Sequence, residues 1–281
     1  MTHNTEQLTT NNLAHILEDW PLWGLSKSPI RRDQVKPLTG GLTNICYHLM
    51  LEGGDYILRI NAANTIALGI NREREKAIHQ LAADQEFTSK MRYCAADHSY
   101  CVRDYIIGEV LAEEIKNPGD LSDRLLAHLV ETLKSLHQLP ITLSLPAISI
   151  SDAAESYWQM LEANNPDDEL LKMKPLMQVA MQEPPAGNFC FCHMDPVLAN
   201  WLYTATGLQL LDWEYAGLGH PLWDLAAFVQ AIKAQFSLDV DPIEAIEEKI
   251  ITLYGITDLA AWRRAKLQME YLSSLWYRAQ S

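Results

Sequence analysis

The sequence predicts an α+β fold with a small β-rich N-terminal lobe, residues 1–104, and a larger, mainly helical C-terminal lobe, residues 105–281. Three observations carry this expectation. "NICYHLML" and "YILRI" are β-prone runs that flank "EGGD", a hairpin signal. Beyond residue 108, apolar residues recur almost everywhere at helical spacing. In that half, β character returns at one island, "NWLYTATGLQLLDWE", where two apolar runs surround Thr-Gly.

The elements follow in order. "NNLAHILEDW" (11–20) spaces its apolar positions as a short helix. A strand ending near Pro37, a Gly-Gly loop and the hairpin make an antiparallel unit. "NREREKAIHQLAA" (71–83) reads as a helix, charged at its start and apolar at 77, 78 and 81. "SYCVRDYIIG" (99–108) is a further strand that ends at Gly108. "LSDRLLAHLVETLKSLHQL" (121–139) is an amphipathic helix with Ser122 or Asp123 near its cap. Pro140 and Pro146 then break the chain, and two helices fit between 152 and 183. From Pro221 onward the pattern is helical.

Composition narrows the function. With 36 acidic side chains against 22 basic ones, the formal charge is −14. Nucleic-acid binding needs a basic face to neutralise phosphates, so that class is set aside. An acidic chain suits a cationic small ligand. Five cysteines without a CxxC pair fit a reducing cytoplasm better than a disulfide framework. The start lacks an apolar segment of the signal-peptide kind, and no apolar run approaches the ~20 residues of a membrane span. The oligomeric state is not readable.

Four pieces of sequence could build one site in the cleft that two lobes imply. In "LTGGLTN" (38–44), Gly40 and Gly41 would let backbone N–H groups approach phosphate, although a glycine pair also serves a plain turn. Arg59, on a strand that reads as largely buried, needs a partner, with Glu75 first and Glu73 as the alternative; a strand-end arginine reaching solvent is the other reading. In "CHMDPVLANW", Asp195 could accept a hydroxyl proton, and Asn200, five positions on, offers an amide oxygen to a hard cation. A polar bend capped by aspartate remains the alternative. In "LLDWE", Asp212 ends an apolar strand, and the short hairpin from Trp201 to Leu211 brings it back near Asn200. Two oxygen donors then face one point, as Mg²⁺ with bound phosphates requires.

These pieces resemble the protein-kinase-like small-molecule phosphotransferases, the aminoglycoside phosphotransferase and choline kinase group. "HMDPVLAN", "LLDWEYAG" and "PLWDLAAF" carry the likeness most specifically, with "GGLTN", "YILRI" and "INRERE" beside them. Bacterial choline kinases are most similar, and thiamine kinase is close around "GLQLLDWEYAG". The resemblance implies a bilobal protein-kinase-like fold, ATP as phosphoryl donor and Mg²⁺ held by Asn200 and Asp212. It makes Asp195 the catalytic base and places Gly40, Gly41, Asn44 and Arg59, paired with Glu75, at the phosphates. Backbone at Arg103, Asp104 and Tyr105 would meet adenine, and His193 and Asp224 would support the catalytic loop.

The chain also departs from the protein kinases. Arg59 stands where they have lysine, and Val197 where they have a second lysine. Asp224 follows Asp212 by only 12 positions, too few for a protein-kinase activation segment. A protein acceptor is therefore not expected.

A small cationic alcohol is expected, choline or ethanolamine first, with thiamine and then an aminoglycoside as alternatives. An inactive nucleotide-binding scaffold is the non-enzyme reading, and it would lack one of Asp195, Asn200 or Asp212. Quaternary ammonium is recognised by aromatic faces and carboxylates. The candidates are Glu214, Tyr215, Trp223 and Trp276, with Tyr271 and Tyr277 nearby. Ser273 stands where choline kinase relatives often carry a second cage tryptophan.

Overall fold

A computed structural model describes residues 12–38, 44–62, 68–142, 144–163, 168–182, 187–237 and 240–280. The chain divides into two compact units, 1–63 with 89–107, and 64–88 with 108–281. The expected glycine pair, Gly40 and Gly41, lies outside the described residues.

The first unit is built on one antiparallel sheet: β1 (Val35–Leu38), β2 (Ile45–Leu51), β3 (Gly54–Ile60), β4 (Met91–Cys94) and β5 (Tyr100–Asp104), in the order β1-β2-β3-β5-β4. The hairpin expected at "EGGD" joins β2 to β3, with Ile45 opposite Ile60 and Leu51 opposite Gly54. Alternation along β2 buries Tyr47, Leu49 and Leu51, which pack with Leu58, Val102 and Trp23. Residues 12–18 form the expected N-terminal helix, and a short helix Trp20–Trp23 continues it after Asp19. Trp23 then donates to the Tyr100 hydroxyl, which donates to Asp19. Strand β4 was not expected. It has four residues at the sheet edge, with a bulge near Tyr93, so it shows no clean period of two.

The second unit opens with α1 (Arg72–Asp84), capped by the Asn71 side chain. Ile78 and Ala82 on this helix join the large C-terminal core, which is why 64–88 goes with the second unit and not with a lobe cut at 104/105. After β6 (Glu109–Val110) come α2 (Asp123–His137), capped by Ser122 as expected, α3 (Ile150–Glu162) and α4 (Asp168–Met181). Next are β7 (Cys190–Cys192), β8 (Trp201–Thr204), β9 (Gly207–Leu210) and β10 (Gly217–Gly219). Three helices close the chain: α5 (Pro221–Phe236), α6 (Val240–Tyr254) and α7 (Leu259–Gln280).

The β8–β9 hairpin is the expected island, but it is not alone in this half. β6 pairs with β8, and β7 pairs with β10. β6, β7 and β10 are two or three residues long, too short to display a period.

Candidate active site

The β8–β9 hairpin brings the central groups together. Its register sets Trp201 opposite Leu210, so the next residues out, Asn200 and Leu211, also meet. The Leu211 amide donates to the Asn200 carbonyl at 2.7 Å. Asp212 therefore returns beside Asn200, as the spacing implied. The turn depends on Gly207, whose φ of +130° is one that other residues rarely adopt.

Asn200 joins the two halves of the site. Its Nδ2 donates at 2.9 Å both to the Asp195 carbonyl and to Asp195 Oδ2. This orientation turns Asn200 Oδ1 away from Asp195. The Trp201 indole N–H donates to the Pro196 carbonyl at 3.0 Å and pins the stretch between them.

Asp195 stands in a concentration of negative charge. Its pKa is pushed up to about 7, first by burial and then by the Asp212 carboxylate, with Glu214 and Asp224 adding; the Asn200 hydrogen bond opposes them. Two residues here, Met194 at φ +67° and Asp212 at φ +55°, hold left-handed backbone. Such conformations persist only where surrounding contacts enforce them.

For the loop, that enforcement comes from Asp224. It is fully buried on α5, and it accepts from the His193 amide at 2.8 Å and the Met194 amide at 2.6 Å. His137 on α2 bonds the same carboxylate at 3.0 Å through Nε2, and its Nδ1 lies 2.9 Å from the Tyr254 hydroxyl. His193 donates from Nε2 to the Leu211 carbonyl at 2.8 Å, tying the loop to the hairpin. Burial holds the His193 pKa below its ordinary value.

The expected acceptor residues separate. Trp276 donates to the Tyr215 hydroxyl at 2.8 Å, and both are only partly buried. Tyr277, 61% exposed, packs edge-on against Trp276. Trp223 is a core residue instead: it is 1% exposed, its N–H donates to Gln268 at 2.8 Å, and Phe189 and His220 pack on its ring. Tyr271 is buried as well and takes the Trp158 N–H. Glu214 has its charge engaged within the protein. It is 3% exposed and pairs with Arg72 at 3.3 Å.

Arg72 also pairs with Glu75 at 2.7 Å, so Glu75 has a partner that the sequence did not suggest. Tyr157 is a second residue the sequence missed. It is buried on α3, where burial and the charges of Glu214 and Asp195 hold its phenol well above the ordinary range. It occupies a buried position on an amphipathic helix, and no sequence signal separates it from core.

In the first unit, Asn44 is buried, and its Oδ1 accepts from the Ala62 amide at 3.3 Å. Arg59 is buried in β3 between Cys46 and Cys101 of the flanking strands. Arg103 is buried in β5 opposite Ile57. The amides expected to meet adenine at Asp104 and Tyr105 are already used: Asp104 donates to the Lys90 carbonyl at 2.9 Å and Tyr105 to the Asp55 carbonyl at 3.0 Å. The registers of β5 with its two neighbours, Asp104 opposite Tyr56 on β3 and Arg103 opposite Met91 on β4, account for these bonds. The Asp104 carboxylate holds Arg92 at 2.6 and 2.8 Å, and the Tyr105 ring stacks on His48.

Comparison with known proteins gives the family of the chain. A family model described as a phosphotransferase enzyme family matches residues 34–267. The protein LicA of Haemophilus influenzae is 28% identical over 202 residues, which cover 68% of this chain. The match spans 56% of that relative's own length. A thiamine kinase of Escherichia coli O1:K1 / APEC is 34% identical over 219 residues, 72% of each chain. Among solved structures, choline kinase LicA from Streptococcus pneumoniae matches with a TM-score of 0.69 at 20% identity, over 95% of this chain and 90% of that one. That likeness is one of fold, and it agrees with the expected protein-kinase-like α+β class.

Proposed function

The chain belongs to the phosphotransferase enzyme family, and we propose that it transfers the γ-phosphoryl group of ATP to the hydroxyl of a small cationic metabolite, choline or ethanolamine first. One observation carries this reading: the Asn200 amide bonds Asp195 while the hairpin returns Asp212 to the same place. A base and two oxygen donors within one short loop and one hairpin are what phosphoryl transfer asks of a protein.

Asp195 is the base that takes the acceptor's hydroxyl proton. Its pKa near 7 suits that task, and Asn200 holds one carboxylate oxygen so that the other can face the alcohol. The donor set fits Mg²⁺. Asn200 Oδ1 and the Asp212 carboxylate are hard oxygen donors, and the crowded carboxylates favour a cation. When bound, Mg²⁺ supplies charge neutralisation for the phosphates.

Arg59 and the glycines at 40 and 41 serve the phosphates in this reading. Because the amides of Asp104 and Tyr105 are engaged, backbone at Ile106 and Ile107 is the better candidate for adenine. The acceptor's cationic head meets Tyr215 and Trp276, whose hydrogen bond fixes the two rings together. The enzyme works on dissolved metabolites in the cytoplasm.

Thiamine is the second reading, favoured by the 34% identity of the thiamine kinase relative. Thiamine shares choline's fixed positive charge and primary alcohol. A panel of choline, ethanolamine, thiamine and an aminoglycoside, each with ATP and Mg²⁺, decides between them by product formation. Preferred turnover of choline or ethanolamine supports the first reading, and a kcat/KM for thiamine tenfold higher replaces it. No phosphorylated product with any of the four would favour an inactive scaffold or an untested acceptor.

A further inference from the structure

Behind the loop that carries Asp195 lies a cluster of side chains of metal-ligating type, two of them thiols that the proposed reaction does not use. Cys190 and Cys192 are two apart on β7, so both thiols reach the same face of the strand. Their Sγ atoms are 3.7 Å apart. With His137 on α2 they form a group whose ligand atoms all lie within 4.8 Å of one another, and all three residues are buried.

We propose that Cys190, Cys192 and His137 form a buried site for a thiophilic transition-metal ion of the Zn²⁺ type, and that filling it inhibits the enzyme. The spacing suits the ion: a tetrahedral site with metal–sulfur bonds of ~2.3 Å sets its two sulfurs ~3.8 Å apart. The ligand set is soft sulfur and imidazole, opposite in character to the oxygens of Asn200 and Asp212.

Burial pushes the Cys192 thiol up, and a metal ion binds it by displacing its proton. Each S–H bond breaks, a sulfur–metal bond forms, and the two protons pass to solvent. Two thiolates balance the charge of the ion, and no oxidant is needed.

Inhibition follows from His137. Both of its ring nitrogens are engaged, with Tyr254 and with Asp224. A cation must take one of them from its present partner. The inhibitory reading assigns the ion to Nε2, whose loss removes a donor from the Asp224 carboxylate that holds the amides of His193 and Met194.

Anaerobic titration of the whole protein with Co²⁺ tests the site. One equivalent should give a thiolate-to-cobalt charge-transfer band together with tetrahedral d–d bands. Cys190→Ala, Cys192→Ala and His137→Gln should each weaken binding by at least the ~10–100-fold that loss of a mere supporting partner costs. Cys190→Ser and Cys192→Ser serve if the alanine variants fold poorly. Cys94, whose Sγ lies 3.5 Å from His98 Nδ1, is the control, and Cys94→Ala should leave the spectrum intact. A spectrum that survives in Cys190→Ala and Cys192→Ala, or no tetrahedral bands in the parent protein, overturns the site.

Zn²⁺ should displace Co²⁺ and lower turnover in the parent protein but not in Cys192→Ala. Zn²⁺ that binds without lowering turnover overturns the inhibitory role. This activity arm rests on the kinase reading, whereas the spectral arm does not, so the failure of each is distinguishable.

Discussion

Asp195 is ionisable, crowded by three other carboxylates and bonded to one amide, and its protonation has consequences for both rate and stability. Asp195→Ala removes the base, so turnover should fall ~10²–10⁴-fold while ATP still binds, measured by steady-state rates and by nucleotide titration. The same residue makes the metal-free protein pH-sensitive. Its folded pKa of about 7 lies above the ordinary ~3.9 of the unfolded chain. Between these values the folded state keeps a proton that the unfolded state has lost, so this group lowers stability as pH rises through the window. Asp195→Asn should therefore melt higher than the parent in EDTA at pH 8, by about 1–3 kcal/mol, and should match it near pH 4.5. Equal melting at both pH values would refute the crowding argument. The spacing of Asp195, Asn200 and Asp212 was legible because their meeting needs only a short loop and a hairpin. The burial of Glu214 and Trp223 was not, since their partners Arg72 and Gln268 stand 142 and 45 positions away. A carboxylate or an indole looks the same in sequence whether its partner is a ligand or a distant side chain.

Among the elements, the β8–β9 hairpin was readable because alternation and a Thr-Gly turn mark it. β7 and β10 were not. Cys190, Phe191 and Cys192 are all buried, so β7 has no polar face to alternate, and β10 is a leucine between two glycines. Yet β7 leads directly into the loop that carries Asp195, and α5 fixes that loop through Asp224. The helix α5 itself was legible; the three donors converging on Asp224 were not, since two are backbone amides and the third comes from α2. Asp224→Ala would leave these three donors buried without an acceptor. At ~1–3 kcal/mol for each such group, the variant should lose on the order of 3 kcal/mol or more in a urea melt. Turnover should fall with it, because Asp224 is the acceptor for the amides of His193 and Met194, next to the base. A loss below ~1 kcal/mol would mean that water or a shifted loop replaces the carboxylate.

For the whole molecule, composition and element order gave the β-then-α sequence of the fold, but not the membership of residues 64–88. Helix α1 follows β3 directly in sequence, while Ile78 and Ala82 find their neighbours in a core assembled mainly from helices after residue 108. The net charge of −14 is equally uninformative about place, since a total does not show that three other carboxylates converge on Asp195. That convergence has a measurable effect on the whole chain. A ligand that binds only the folded state stabilises it by ~2.7 kcal/mol at about one hundred times its Kd. At ~2–4 °C per kcal/mol for chains near this size, saturating Mg²⁺ with ADP should raise Tm by about 5–10 °C. Asp212→Ala removes one of the two oxygen donors proposed for the cation and part of the repulsion it relieves. It should begin from a higher Tm without ligand and gain less than half of the parent's shift with it. An equal shift in both proteins would place nucleotide binding independently of Asp212, and the proposed division of roles between Asp195 and the Asn200–Asp212 pair would fail with it.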